Sequence, residues 1–236
     1  MSQLTGKVAL ITGGSRGIGA GIARGLAGAG ADISLTYVHN ADAADVVVKE
    51  IEKTGRRCVA HAADMMRPED VNAAVDHTIH KFGRLDILVN NAGFMDLSGT
   101  AFQDISLDTV DQSILVNIRA YVLAAQRAAL HLGPGGRIIN IGSCLGERVP
   151  GPGQTLYATT KAAITGLTKG LARDLGPQKI TVNQVSPGPV DTDMNPANGP
   201  FADMQRDLTA VGHYGTPSDI ASAVTFLASE ESSFIT

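Results

Sequence analysis

The sequence predicts an α/β fold in which a doubly wound, mostly parallel sheet carries helices on both faces. Three observations lead there. Short apolar runs alternate with longer amphipathic runs from one end of the chain to the other. The short runs are apolar throughout, as strands covered on both faces are, instead of alternating in polarity. Gly, Pro and Asn punctuate the joins and no linker divides the 236 residues, so residues 1–236 are read as a single domain. Six β-α repeats joined by right-handed crossovers then form one parallel sheet.

The first strand is KVALIT, residues 7–12. GGSRGIG follows, then a helix over 18–29 that Gly30 caps. Residues 31–37 form a second strand and 41–54 a polar helix. RRCVAHA, 56–62, is the third strand and leads to Asp64. Pro68 suits a first helical turn, where its missing N–H has no partner to lose, and that helix runs to Phe82. LDILVN, 85–90, is the fourth strand and ends in NAG. One long helix is predicted over 107–131, until GPGG breaks it. RIINIG, 137–142, is the fifth strand; a loop at 150–153 and a long helix over 155–175 follow. KITVNQVSP, 179–187, is the sixth. Residues 189–200, rich in Pro, Asn and Asp, read as loop; a short helix covers 201–208, and Pro217 starts a last one that runs to Ala228. No seventh strand is legible before the sequence ends at SSFIT.

Composition narrows the function. Hydrophobic residues make up 44%, enough for a sizeable core, and with no Trp and few aromatics that core is aliphatic. The net charge is −4, from 19 basic and 23 acidic residues without a basic block, so a nucleic-acid partner is not expected. No apolar stretch is long enough to span a bilayer and no leader is legible, so no membrane is expected. Cys58 and Cys144 are too few and too far apart for a disulfide scaffold, which suits a cytoplasmic protein. The six histidines show no metal-ligand spacing, and no metal is expected.

Two segments carry chemistry. TGGSRGIG, residues 12–19, follows a buried strand and opens a helix. Its Gly13, Gly17 and Gly19 are spaced more widely than G-x-G-x-x-G, but the physics is shared. Absent side chains let backbone N–H groups approach a pyrophosphate, and the helix N-terminus favours its charge. Ser15, Arg16 and Ile18 complete that turn. The second strand ends LTYVHN, with Tyr37 and no acid to accept a ribose 2′-hydroxyl, while the Arg16 guanidinium matches a 2′-phosphate. NADP is favoured, with NAD as the alternative. Asp64 after the third strand is placed to meet an adenine amino group. Asn91, Ala92 and Gly93 after the fourth suit a tight turn beside a cofactor.

The second segment is YATTK, Tyr157 to Lys161, inside a predicted helix, where residues i and i+4 share a face. An ammonium beside a phenol favours phenolate and brings its pKa toward neutrality, where general acid–base catalysis works best. Ser143 lies just past the fifth strand, on the edge where such sheets gather ligands, and is placed to bond a substrate oxygen. Asn117, in the long helix, needs partners if buried, and a water shared with Lys161 would serve.

With these residues in view, the chain resembles a short-chain dehydrogenase/reductase, nearest the 3-oxoacyl-carrier-protein reductase-like ketoreductases, over essentially its whole length. Thr12, Gly13, Gly17 and Gly19 match T-G-x-x-x-G-x-G; Asn90 to Gly93 match N-N-A-G; Asn117, Ser143, Tyr157 and Lys161 match the catalytic tetrad. Pro187 and Gly188 match a P-G pair after the sixth strand, with Thr192 beyond. The resemblance implies a Rossmann-type fold and an NAD(P)-dependent oxidoreductase that interconverts a small carbonyl compound and its alcohol. It implies Tyr157 as acid/base, Lys161 tuning it and binding ribose, Ser143 orienting the carbonyl and Asn117 holding a relay water. Val190 and Thr192 would border the nicotinamide. It also implies a homotetramer built on the two long helices. Family members usually continue into a further strand and a glycine-rich tail, and the loop CLGERVPGPGQTL between Ser143 and Tyr157 is about a residue longer than usual. Phe94, Met95, Cys144, Leu145 and residues 151–154 are expected to bound the pocket, with Met194, Phe201 and Met204 as an apolar lid. Arg137, Arg148 and Arg173 are the candidates for a basic patch, should the substrate ride on a carrier protein. A non-catalytic NADP-binding sensor or scaffold, and an epimerase or dehydratase, are the competing readings.

Overall fold

The computed structural model describes residues 3–236. Its centre is a six-stranded parallel sheet made of β1 (Val8–Ile11), β2 (Asp32–Tyr37), β3 (Cys58–Ala62), β4 (Ile87–Asn90), β5 (Arg137–Ile141) and β6 (Thr181–Val185). The spatial order is β3-β2-β1-β4-β5-β6, which is the Rossmann-type, doubly wound arrangement. The strands are shorter than the apolar runs, although inter-strand main-chain bonds continue past their ends, as from Thr12 N to Val89 O at 3.1 Å and from Gly142 N to Val185 O at 2.8 Å.

The helices divide between the two faces. Helix α1 (Gly17–Gly28), α2 (Ala41–Glu52) and α8 (Pro217–Ala228) cover one core, with Ile22, Leu26, Ile33, Leu35 and Ile51 at its centre. On the other face α3 (Pro68–Phe82), α5 (Ala120–Ala129) and α6 (Thr155–Leu175) close over Leu10, Val75, Leu88 and Ile138. The contact of α1 with α8 depends on small residues. A Cβ at Gly21 would lie 2.6 Å from Pro217 Cβ, and one at Gly25 would lie 2.9 Å from Ala221 Cβ.

The long helix predicted over 107–131 is interrupted. Helix α4 (Leu107–Ile114) passes into a π-helical turn at Leu115–Arg119 before α5 begins. Amphipathic spacing does not reveal one inserted residue, whereas tertiary partners do. Helix α7 (Ala202–Asp207) stands where a short helix was expected. At the far end of the chain, Val182 N–H donates to Thr236 Oγ1 at 2.9 Å and Asn183 Nδ2 to Ile235 O at 2.8 Å, so these last residues lie along β6. Among the described residues no helix is long and apolar enough to cross a membrane.

Strand order reverses between β1 and β4. The helices that follow these strands leave to opposite faces there, which opens a crevice beyond their C-terminal ends. Both chemistry-bearing segments reach that edge.

Candidate active site

The glycine turn sits at the mouth of the crevice. Gly13 and Gly17 have φ of +66° and +52°, a left-handed backbone that a side chain would strain. A Cβ on Gly19 would lie 2.2 Å from Gly13 O and 2.5 Å from Asn91 Nδ2. Arg16 caps α1 in an extended conformation without a side-chain hydrogen bond to the helix, and no acid stands in the first turn. The first N–H groups of α1 thus keep their capacity for an anion. Thr12 Oγ1 accepts from Asn91 N and Ala92 N, and Asn91 Nδ2 donates to Thr12 O and Gly13 O at 2.9 and 3.0 Å. The Asn91 amide therefore braces the turn from β4 rather than facing outward. This bare, braced cradle fits a dinucleotide pyrophosphate.

Other predicted cofactor residues ring the same edge. Tyr37 is half-buried at the end of β2, followed by exposed Val38, His39 and Asn40. Asp64 accepts from Met66 N through Oδ1. Ser15 and Ile18 are half-buried in the turn, and Gly93 is exposed. Pro187 is buried with its carbonyl bonded to Cys144 N, Gly188 is exposed, and Val190 is buried and bridged to Gly215. Thr192 reaches the glycine turn: a Cβ on Gly17 would lie 3.4 Å from its methyl. Beside it, the exposed Arg16 guanidinium lies 3.8 Å from the Asp193 carboxylate, a partner that sequence spacing does not suggest.

The catalytic candidates converge. Helix α6 brings in Tyr157 and Lys161, the end of β5 brings Ser143, and the π turn brings Asn117. Lys161 is buried and its Nζ donates to Ile141 O at 2.9 Å, 5.5 Å from the Tyr157 ring centre. Burial pushes the ammonium down to about 8. For Tyr157, burial pushes the phenol up, a hydrogen bond with the Ser143 hydroxyl pulls it down, and the Cys144 thiol adds a smaller upward push; the phenol stands at about 12. This corrects the expected downward shift. Spacing places lysine and tyrosine on one face, but the ammonium is anchored on a main-chain carbonyl, and burial outweighs it.

Asn117 is fully buried, and its side chain is committed. Oδ1 accepts from Phe94 N at 2.7 Å, while Nδ2 donates to Phe94 O at 2.8 Å and Thr160 Oγ1 at 3.0 Å. Both amide hydrogens are thereby used. A relay water would be held through the second lone pair of Oδ1 or a main-chain carbonyl of the π turn. Asn117 Oδ1 and Lys161 Nζ flank one space, at 3.6 and 3.8 Å from where a Cβ on Gly93 would stand.

Beside Tyr157 lies a small cavity of about 30 Å³ lined by Phe94, Met95, Ile105, Ser113, Gly153 and Leu156, with Asp96 and Thr100 at its wall. Phe94, Met95 and residue 153 were expected there. Asp96, Ile105, Ser113 and Leu156 were not, since only the fold brings the 94–105 segment onto α6. Met194, Phe201 and Met204 are exposed and do not line it. Cys144 is exposed beside it, and among the described residues no group of three or more His, Cys, Asp or Glu gathers for a metal. Arg137 does not contribute to a mouth patch. It is buried at the opposite end of β5, bonded to Ser229 O.

Residues 13–236 match the family model described as Enoyl-(Acyl carrier protein) reductase. A crystal structure of a short chain dehydrogenase from Burkholderia cenocepacia J2315 in complex with NADP is 52% identical, with TM-score 0.97, covering 99% of this chain and 95% of that one. The chain belongs to the short-chain dehydrogenase/reductase family. As such it is an NAD(P)-dependent oxidoreductase. Two curated relatives differ in their described roles. The Cyclic-di-GMP-binding biofilm dispersal mediator protein of Escherichia coli (strain K12) is 44% identical over 236 residues, 100% of this chain and 95% of that protein. The hydroxynaphthalene reductase of Aspergillus fumigatus is 38% identical over 246 residues, 98% of this chain and 89% of that protein.

Proposed function

We propose that this short-chain dehydrogenase/reductase uses NADP(H) to interconvert a small neutral ketone and its secondary alcohol. The observation that carries this is the meeting of Ser143 and Lys161 with Tyr157, which itself lines a small cavity. A phenol at about 12 is protonated at neutral pH and is therefore ready as the acid that carbonyl reduction requires. Ser143 orients the carbonyl oxygen toward Tyr157. Lys161, still largely charged below about 8, binds ribose hydroxyls and supports phenolate once the proton has left. Asn117 fixes the 94 loop through its side chain and contributes to holding a relay water.

The cofactor would lie along Gly13, Ser15, Arg16, Gly17, Ile18 and Gly19, with Tyr37 and Asp64 toward the adenosine. Asn91, Ala92, Gly93, Pro187, Gly188, Val190 and Thr192 border its nicotinamide half. When bound, the nicotinamide supplies or accepts the hydride, and the chain provides orientation and the proton. NADP is preferred over NAD because no acid follows β2 and Arg16 is held only by an exposed pair, which is a weak tie. The NADP complex of the Burkholderia relative agrees with that preference.

Asp96 at the cavity wall, with no basic residue lining it, disfavours carboxylate- or phosphate-bearing substrates. A carrier-protein substrate loses one of its three candidate contacts with the burial of Arg137, while Arg148 and Arg173 are exposed. The Escherichia coli relative's description as cyclic-di-GMP-binding keeps a sensor reading as the second choice. Exposed Ile114, Val122 and Leu130 along α4 and α5 support a homotetramer, and the two free cysteines support a cytoplasmic setting.

The test is consumption of NADPH and NADH over a panel of ketones, diketones, 2-oxo acids, sugars and acetoacetyl thioesters. The expected result is turnover of neutral ketones with NADPH and poor turnover of 2-oxo acids. Tight NADPH binding without turnover of any member contradicts the reading and supports the sensor, as cofactor retained through turnover supports the epimerase.

A further inference from the structure

Lys161 is held by more than its own helix. Its Nζ lies 5.5 Å from the centre of the Tyr157 ring and 5.6 Å from the centre of the Tyr121 ring, within the range of an attractive cation–π contact on both. The carbonyl of Ile141 that accepts from Nζ at 2.9 Å also accepts from the Tyr121 hydroxyl at 3.2 Å. Tyr121 is 1% exposed, the largest side chain among the described residues to be so fully buried, and stands on the first turn of α5 just past the π turn that carries Asn117. The groups facing the ammonium are thus the two rings, the Ile141 carbonyl, the neutral Asn117 amide and the Ser143 side of Tyr157. No carboxylate among the described residues shifts its titration, and burial alone lowers it. In such a dry setting a weak but fixed electrostatic partner counts for more than it would in water.

We propose that Tyr121 is a second tyrosine of the active site, a positioning residue that holds the Lys161 ammonium between two aromatic rings over a shared carbonyl. This rests on the reading of Tyr157 and Lys161 as the catalytic pair. The Tyr121 ring face stabilises the charged form of Lys161, and its hydroxyl fixes the ring on the Ile141 carbonyl. Tyr121 touches neither substrate nor cofactor in this role. It acts by keeping Lys161 charged and in place at pH values where a lysine so deeply buried would otherwise lose its proton.

The test is the pH profile of kcat/KM for NADPH-dependent ketone reduction. Tyr121→Leu removes the ring, and the alkaline limb moves down by about half a pH unit or more. Tyr121→Phe keeps the ring and returns the limb to the wild-type position. A limb in Tyr121→Leu that coincides with wild type overturns the inference, even if kcat falls, because a merely structural loss does not move it. Should Tyr121→Leu fail to fold, a trifluorinated phenylalanine at position 121 decides. It keeps the shape but weakens the ring quadrupole, so its limb falls below that of Tyr121→Phe; coincidence of the two overturns the inference. Tyr157→Phe measured alongside separates the failures. An active Tyr157→Phe overturns the catalytic reading and this inference with it, whereas an inactive one with an unmoved Tyr121→Leu limb overturns this inference alone.

Discussion

Gly19 and Gly28 belong to the same helix but face opposite constraints. A Cβ at Gly19 would meet Gly13 O at 2.2 Å, both of them backbone positions of the cradle, while one at Gly28 meets nothing within 4 Å. Gly19→Ala is expected to destabilise by about 1–3 kcal/mol and to weaken NADPH binding, because the turn must open to admit the methyl. Gly28→Ala is expected to stabilise by about 0.5 kcal/mol through helix propensity alone. Thermal unfolding and NADPH titration of the two variants check this, and equal effects would contradict the assigned geometry. At this scale much of the site was legible. Tyr157 with Lys161, Ser143 after β5 and the glycine spacing name their own chemistry. The Tyr157 shift was not legible, since burial and the Ile141 carbonyl are tertiary facts. The partners of Asn91, Asn117 and Arg16 were hidden for the same reason.

Helix starts marked by proline are legible in the sequence, whereas the end of α1 is not, its cap being Ala29 and not Gly30. Pro68 and Pro217 open α3 and α8 at their first positions, and Thr216 with Asp219 forms a capping box on α8. The π turn carries no such mark. It stands where Asn117 joins the 94 loop to α6, through Phe94 on one side and Thr160 on the other, and π turns recur at functional sites. Thr160 passes the link on by donating to Tyr157 O at 2.9 Å. Asn117→Ala leaves the Phe94 N–H and the Thr160 hydroxyl without this partner, a loss of about 1–3 kcal/mol. Hydrogen exchange at the Phe94 amide should accelerate markedly in this variant, together with a fall in kcat. An unchanged exchange rate would show that Asn117 does not brace that loop.

The whole molecule records its burial in its response to acid. His61 on β3 stacks against His77 on α3 with ring centres 4.5 Å apart, and neither of its ring nitrogens has a hydrogen-bond partner. Burial pushes it down to about 4; His77 adds to that and Asp70 opposes it. Its folded pKa lies below the ordinary 6.5, so the unfolded chain takes the proton first. The contribution of His61 to stability is therefore full above pH 6.5 and is lost as pH falls from there toward about 4. His61→Leu should narrow the Tm gap between about pH 8 and pH 5 by about 2–4 °C. A gap equal to that of wild type would show that His61 is not the group responsible. The doubly wound sheet itself is legible because six apolar runs alternate with helical ones and right-handed crossovers put helices on both faces, whereas the strand order is seen only in the fold. The packing of the 94–105 segment onto α6, which shapes the cavity, is not legible, because no local pattern encodes it.

Catalysis by the assembled enzyme depends on one proton. The central claim is that the Tyr157 phenol supplies it, and turnover of Tyr157→Phe beside its NADPH affinity is the measurement that tests this most directly. The account predicts wild-type NADPH binding with kcat for ketone reduction lowered by about a thousandfold. A variant that binds NADPH and reduces ketones at a near-normal rate would contradict it.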